Sequence, residues 1–349
     1  MYLDHAATSP LRPEARAAME EGFRIWANPS SPHAEGRKAK AALEDARERV
    51  KRALGWEGEV IFTSGASEAA ALALRNAVGG KRIVTEVEHD CVLQAATGAD
   101  HVPVLPDGQV DLHELASALK CDRPVVAIQD VNSETGNRQV ISFIQDMVAE
   151  AGGMLIVDCA QSAGKMNIDS PEMAIISAHK FGGPIGVGAL LVKDFALLKP
   201  EGGHERGYRR GTENLPAILG MAAAIELSES FADEDTLRAF HSMDQVVREA
   251  GGDWLSDRLS SDTAFISAIS MPSIGASAQV MRFDMEGISV SQGSACSSGT
   301  MKVSRVLRAM QVEPEIAANT IRVSVGWSTT PDDIERFCET WLAMAKSSV

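Results

Sequence analysis

The chain has 349 residues, long enough for one large domain and a smaller one. Hydrophobic residues at 45% and charged residues at 23% are ordinary for a globular protein, and the net charge of −15 disfavours broad binding to nucleic acid or an anionic membrane. No apolar run approaches membrane-spanning length, and the opening MYLDHAATSP has neither the basic start nor the apolar middle of a signal peptide, so a cytoplasmic protein is expected.

In chain order, the polar opening segment 2–10 is expected to pack with the end of the chain or to line a site. A 3.6-residue apolar period through Ala39, Ala42, Leu43, Ala46, Val50 and Ala53 predicts an amphipathic helix over 34–54, with Asp45–Arg49 and Glu48–Arg52 as pairs on its wet face. Short β-rich runs follow at EVIFT, RIVTE, PVVAIQD, MLIVD, MAIISA and GALLV, alternating with helical stretches. That alternation predicts an α/β domain with a mostly parallel, buried sheet. The pattern changes after about residue 228. A helix, a strand at AFISAIS, a helix near KVSRVLRAM, a strand at TIRVSVG and a last helix from Pro331 predict an α+β end domain. Five cysteines (Cys91, Cys121, Cys159, Cys296 and Cys338) are odd in number, far apart and without a C-x-x-C, so neither a disulfide framework nor a zinc site is expected.

Several strand ends carry chemistry-bearing residues. In FTSGASEAA a strand meets Ser64-Gly65-Ala66-Ser67 and then a helix, which is either an anion cradle of backbone N–H groups or a helix with an ordinary hydroxyl cap. LIVDCAQSAG ends a strand on Asp158, with Gln161 one turn on; ligands of parallel sheets lie at such ends, although an aspartate there also caps helices. In ISAHKFGG, Ser177, His179 and Lys180 follow a buried run and precede a glycine turn. A lysine held there is open to desolvation and Schiff-base chemistry. His89 follows another strand end, where a structural role is the alternative. Arg322 in TIRVSVG is either a surface arginine or a fork for a carboxylate. The stretch SQGSACSSG sets Cys296 among small residues that bury little and restrict the backbone least.

Taken in order with YLDHAATSP, NPSSPHAEGR and RGYRRGTEN, these motifs resemble the cysteine desulfurases, enzymes dependent on pyridoxal 5′-phosphate (PLP), from Tyr2 to about Trp341. The Ser-Ala-Cys-Ser form of the cysteine segment is similar to the housekeeping and nitrogen-fixation class. The resemblance implies a fold-type I PLP-dependent transferase: a large domain (14–228) with a mostly parallel seven-stranded sheet, and a smaller α+β domain (1–13 and 229–349) carrying the cysteine loop. It implies Lys180 as the PLP-bearing lysine, Asp158 on the pyridinium nitrogen, His89 stacked on the ring and acting in catalysis, and Gln161 at the phenolic oxygen. Ala66, Ser67, Ser177 and His179 would hold the phosphate, and Asn132 and Ser133 would help hold a cofactor oxygen. Thr212 would reach the neighbouring subunit's phosphate in a homodimer with shared sites. Arg322 would grip the carboxylate of L-cysteine, and Cys296 would receive the sulfur and pass it to an acceptor such as an iron–sulfur scaffold protein. No metal is expected. Ser133 stands where the family usually has a second asparagine, and Ser67 where a threonine is common. A selenocysteine lyase or cysteine sulfinate desulfinase on the same scaffold is one alternative; a PLP-binding but catalytically idle partner subunit is another.

Overall fold

A computed structural model describes residues 1–227, 230–293 and 304–346. Seven strands form the main sheet: β1 (Glu59–Thr63), β2 (Arg82–Thr85), β3 (Asp100–Val102), β4 (Val125–Gln129), β5 (Met154–Asp158), β6 (Met173–Ser177) and β7 (Gly188–Val192). Their order is β1-β7-β6-β5-β4-β2-β3. Neighbours from β3 to β6 are parallel, and β7 runs antiparallel to both β1 and β6. Six of these strands stand where the apolar runs predict them. The seventh, β3, is three residues long and begins Asp-His, too short and polar to register as a strand.

Helices cover both faces, which is why these strands read as continuous apolar runs rather than alternating ones. Val60, Phe62, Ile83, Val126, Leu155, Val157 and Ile176 face α1 (Pro13–Arg24), α2 (Ala34–Leu54), α5 (Leu112–Ala118), α6 (Ile141–Glu150) and α7 (Leu215–Ile225). The intervening Ile61, Val84, Ala127, Ile156, Ile175 and Leu190 face α3 (Ala66–Asn76) and α4 (Asp90–Ala95). The wet-face pairs of α2 differ from expectation. Arg49 turns to Glu226 with two bonds at 2.8 and 2.6 Å and keeps Asp45 at 4.0 Å, while Glu48 takes Lys51 rather than Arg52.

A second, antiparallel sheet of β8 (Asp253–Trp254), β9 (Ile266–Ser270) and β10 (Thr320–Ser324), in the order β10-β9-β8, belongs to the end of the chain. Its core joins α8 (Glu234–Glu249), α9 (Ala276–Met285) and α12 (Pro331–Lys346), with Phe283 stacked on Phe337 at 4.8 Å. Short helices α10 (Arg305–Ala309) and α11 (Pro314–Ala318) cover its other side; α10 is shorter than the run 302–310 suggested.

The opening segment does both things expected of it. Leu3 is buried with the second core, and Tyr2 and Asp4 form β-bridges to Ser289 and Ser324. The segment then crosses to the main sheet, where the N–H groups of Ser9 and Arg12 donate to the carbonyls of His179 and Gly182. No described helix is long and apolar enough to cross a membrane.

Candidate active site

At the end of β1 the chain turns through Ser64 and Gly65 into α3. Gly65 has φ +150° and ψ −179°, a conformation open to glycine and costly for other residues. No side chain caps α3, so the hydroxyl-capped alternative does not apply; Glu68 instead reaches back to the N–H of Ser64 at 2.5 Å. The first amides of an eleven-residue helix therefore remain available, with Ser67 exposed beside them. Ser177, at the end of β6, lines the same turn: its Oγ lies 4.0 Å from where a Cβ on Gly65 would stand. A Cβ on Gly188 would lie 2.8 Å from Gly65 Cα, so glycine at 188 is what lets β7 approach this turn.

Asp158 closes β5, the strand beside β6, and is 8% exposed. Its Oδ1 accepts the Ala160 N–H at 2.9 Å. Burial pushes its carboxyl above the ordinary aspartate value, opposed first by that N–H and then by the charges of His89 and Lys180. His89 caps α4 through Nδ1, which accepts the Cys91 N–H at 3.2 Å; its ring is exposed. Cys91 Sγ lies 3.0 Å from the same nitrogen. Burial pushes that thiol up to about 12, so it stays protonated and is a donor rather than a nucleophile.

Lys180 sits in the single 3₁₀ turn after β6. Its Nζ donates to the carbonyls of Ala6 and Ala7 at 2.6 and 2.9 Å. Gln161 Nε2 meets the same Ala6 oxygen at 2.8 Å. The neighbouring His179 has Nδ1 3.1 Å from Thr8 Oγ1, and burial, Lys180 and Lys165 push its pKa down to about 4, so its ring is neutral at pH 7. The opening segment thus forms a wall of the site.

Asn132 is engaged as a turn former. Its Oδ1 accepts the N–H groups of Glu134 and Thr135 at 2.9 and 3.0 Å. Ser133 contributes its carbonyl, which accepts from Arg322 Nη1 at 2.8 Å. Arg322 is 3% exposed, and its Nη2 donates to Asp4 Oδ1 at 2.6 Å, so within the single chain the guanidinium fork is held by Asp4. Thr212 is exposed in the turn before α7 and makes no hydrogen bond to these groups. Cys296 lies outside the described residues. The residues flanking that stretch are tied to this neighbourhood: the Gly293 carbonyl accepts from Arg322 at 3.3 Å, and Ser304 Oγ donates to Glu134 at 2.5 Å.

Further participants were not singled out residue by residue from the sequence. Asp4 and the carbonyls of Ala6 and Ala7 reach the site only because the opening segment crosses between the sheets. Glu88 is fully buried beside Asp158. Its Oε1 accepts from Thr85 Oγ1 at 2.6 Å and Gln129 N–H at 3.1 Å, and its Oε2 has no partner. Burial pushes its pKa up to about 8. Lys165 stands four residues beyond Gln161 and donates to its Oε1 at 3.2 Å; the spacing was legible, the pairing was not. No cluster of metal-ligating side chains occurs among the described residues.

The set has an amine, a buried carboxylate on the adjacent strand, and an uncapped strand-to-helix turn lined by hydroxyls. These donors fit a cofactor with an aldehyde, a basic ring nitrogen and a phosphate, which is the make-up of PLP.

Comparison with known proteins agrees. The model of the Aminotransferase class-V family, a PLP-dependent family, matches residues 1–337. A protein of Dictyoglomus turgidum named cysteine desulfurase IscS is 34% identical over 96% of this chain and 91% of its own. A solved NifS-like protein superposes with a TM-score of 0.90 at 27% identity, covering 99% of each chain. A structure described as SspA in complex with cysteine superposes with a TM-score of 0.81 at 29% identity, over 94% of this chain and 99% of that one. On its sequence, its fold and the residues gathered at its strand ends, the chain belongs to the class-V aminotransferase family and, within it, to the cysteine desulfurases.

Proposed function

We propose that this chain removes sulfur from L-cysteine, releases L-alanine, and holds the sulfur as a persulfide on Cys296 before passing it to an acceptor protein. The observation that carries this reading is the convergence of Lys180, Asp158, His89 and Gln161 at neighbouring strand ends, next to the uncapped turn before α3. Lys180, Asp158, Gln161, Ser177, Ala66 and Ser67 are the residues that would hold PLP, which when bound supplies an electron sink for the substrate's Cα carbanion.

The chain's own groups do the rest. Lys180, poised on the Ala6 and Ala7 carbonyls, is the amine that would hold the cofactor covalently, and its Nζ would take the Cα proton of the substrate. Asp158, whose proton affinity burial raises, would hold the cofactor through its ring nitrogen. His89, its Nδ1 already an acceptor, is the residue that would stack on the cofactor ring. Arg322 exchanges Asp4 for the substrate carboxylate. Cys296, as thiolate, attacks the substrate sulfur. The S–S bond forms while the C–S bond breaks, and the electron pair stays with carbon, which is protonated to the methyl group of alanine. Sulfur is oxidised as carbon is reduced, so no outside oxidant enters.

Four exposed apolar residues around α1 (Leu11, Phe23, Trp26 and Ile185) support a homodimer in which Thr212 serves the neighbouring site. We take 14–228 as the cofactor domain and 1–13 with 229–349 as the smaller one, because each holds one of the two sheets. The four described cysteines are all free, which supports a cytoplasmic setting, and an iron–sulfur scaffold is the proposed class of acceptor. Mass mapping after incubation with L-cysteine tests the reading: the extra sulfur is expected on Cys296 alone, and Cys296→Ser should bind L-cysteine yet gain none. Unchanged sulfide release by that variant would overturn it.

A further inference from the structure

The short helix α10 comes from the end of the chain, yet it docks on the turn that carries His89 beyond β2. Val87, in that turn, is buried in one core with Val306 and Leu307 of α10 and Ala268 of β9. Ser304, which caps α10, ties the same helix to the turn after β4: its Oγ donates to Glu134 Oε2 at 2.5 Å. These two contacts fix α10 against the main sheet and bring its first side chain, Arg305, over the β2 turn.

Arg305 spans His89. Its Nη2 donates to the carbonyl of Glu88, the residue before, at 2.6 Å, and its Nη1 donates to Oδ1 of Asp90, the residue after, at 2.8 Å. The Glu88 carbonyl belongs to the planar peptide group that leads into His89, so one rigid guanidinium holds both the entry to His89 and the exit from it. The main sheet holds the turn from the other side. Glu88 Oε1 accepts from Thr85 Oγ1 and the Gln129 N–H, and Gln129 Nε2 donates to the Val87 carbonyl at 2.9 Å. His89 Nδ1 accepts the Cys91 N–H at 3.2 Å, so the direction of the ring follows the backbone at 89–91.

Stability is not a sufficient reason for this clasp. The side chains of Arg305 and Asp90 are both about half exposed, and an ion pair so placed contributes little to folding. Its effect is to restrict the backbone at 88–90, and with it the angle of the imidazole.

We propose that Arg305 is a positioning residue for the cofactor site: by bridging the Glu88 carbonyl and Asp90, it holds the His89 ring at the angle at which it stacks on bound PLP. The inference rests on the reading of His89 as the ring-stacking residue. It gives the end of the chain a direct hold on a site built at the strand ends of the main sheet.

The test measures PLP binding by the full chain after the cofactor has been stripped and returned. Arg305→Met is made in two backgrounds, one with His89 and one with His89→Asn. With His89 present it is expected to weaken PLP binding about tenfold. Its thermal midpoint without cofactor should stay within about 2 °C of wild type. In the His89→Asn background the same substitution should cost nothing further. Arg305→Lys, a point charge that replaces a fork, should recover part of the loss. Asp90→Asn loosens the clasp from its other side and takes the place of Arg305→Met, in both backgrounds, should that variant fail to fold. Equal losses in the two backgrounds, or unchanged PLP binding when the clasp is broken beside His89, would overturn the proposal. His89→Asn alone tests the underlying reading. If it binds PLP as wild type does, that reading falls and the proposal with it. If it binds weakly and the Arg305 loss simply adds to it, the proposal alone falls.

Discussion

Arg322 and Asp4 form an ion pair on which the proposed substrate grip depends. The guanidinium is nearly inaccessible, and Asp4 already satisfies Nη2 at 2.6 Å, so in the proposed role a substrate carboxylate would have to compete with an internal one. Arg322→Lys, which exchanges a planar fork for a point charge, should raise KM for L-cysteine about tenfold or more with a smaller effect on kcat. Asp4→Asn should move KM the other way; steady-state alanine formation checks both. Glu88 is a different kind of residue-scale device. Its carboxyl, raised from an ordinary 4.5 to about 8, keeps in the folded chain a proton that the unfolded chain loses. Its contribution to stability is therefore complete below pH 4.5 and is lost as pH rises towards 8, at up to about 1.4 kcal/mol per pH unit. Glu88→Gln removes that dependence, so thermal melts at pH 5.5 and pH 8 should show the variant gaining on wild type at the higher pH. Parallel pH profiles would contradict it.

At the scale of elements, a buried ion pair links α2, β1 and the turn that leads to Thr212. Arg47 donates from Nη1 and Nη2 to Glu205 at 2.9 and 3.1 Å, lies over Phe62, and shares Glu205 with the Phe62 N–H. Both side chains are almost wholly buried. Glu205→Ala would strand the guanidinium and is expected to cost about 3–5 kcal/mol in urea denaturation, far more than removal of an exposed pair such as Arg16–Glu20. The apolar period of α2 carries no sign of this pair, because periodicity cannot tell that an arginine beside Leu43 and Val50 meets an acid 158 residues later. The six long strands and α2 were legible because burial on two faces, or on one stripe, imposes a period of its own. The three-residue β3 and the two-residue β8 impose none.

Across the whole molecule, the opening segment joins the two sheets: its first residues bridge to β10 and the strand-like stretch before it, and its next ones bond the turn that carries Lys180. Around α1 the single chain leaves Trp26 75% and Ile185 76% exposed, with Trp26 stacked on Phe23 at 6.1 Å. Ile185→Asp and Trp26→Asp should turn a dimer into monomers in sedimentation velocity and lower desulfuration with it; a dimer that survives both charges would show that the interface lies elsewhere. The sequence by itself determined the fold class, most of the strands, and the identity of Lys180, Asp158, His89, Gln161 and Cys296 as candidates, since local period and residue type carry that information along the chain. The tertiary structure alone decided that Asp4 holds Arg322, that Asn132 Oδ1 accepts from a turn, that Glu88 keeps one carboxyl oxygen without a hydrogen bond beside Asp158, and that Lys165 and Lys180 meet through Gln161 and Ala6. Each of these is a pairing of charge or hydrogen bond across a sheet or between sheets, and such a pairing depends on which residues the topology brings together, which no local pattern records.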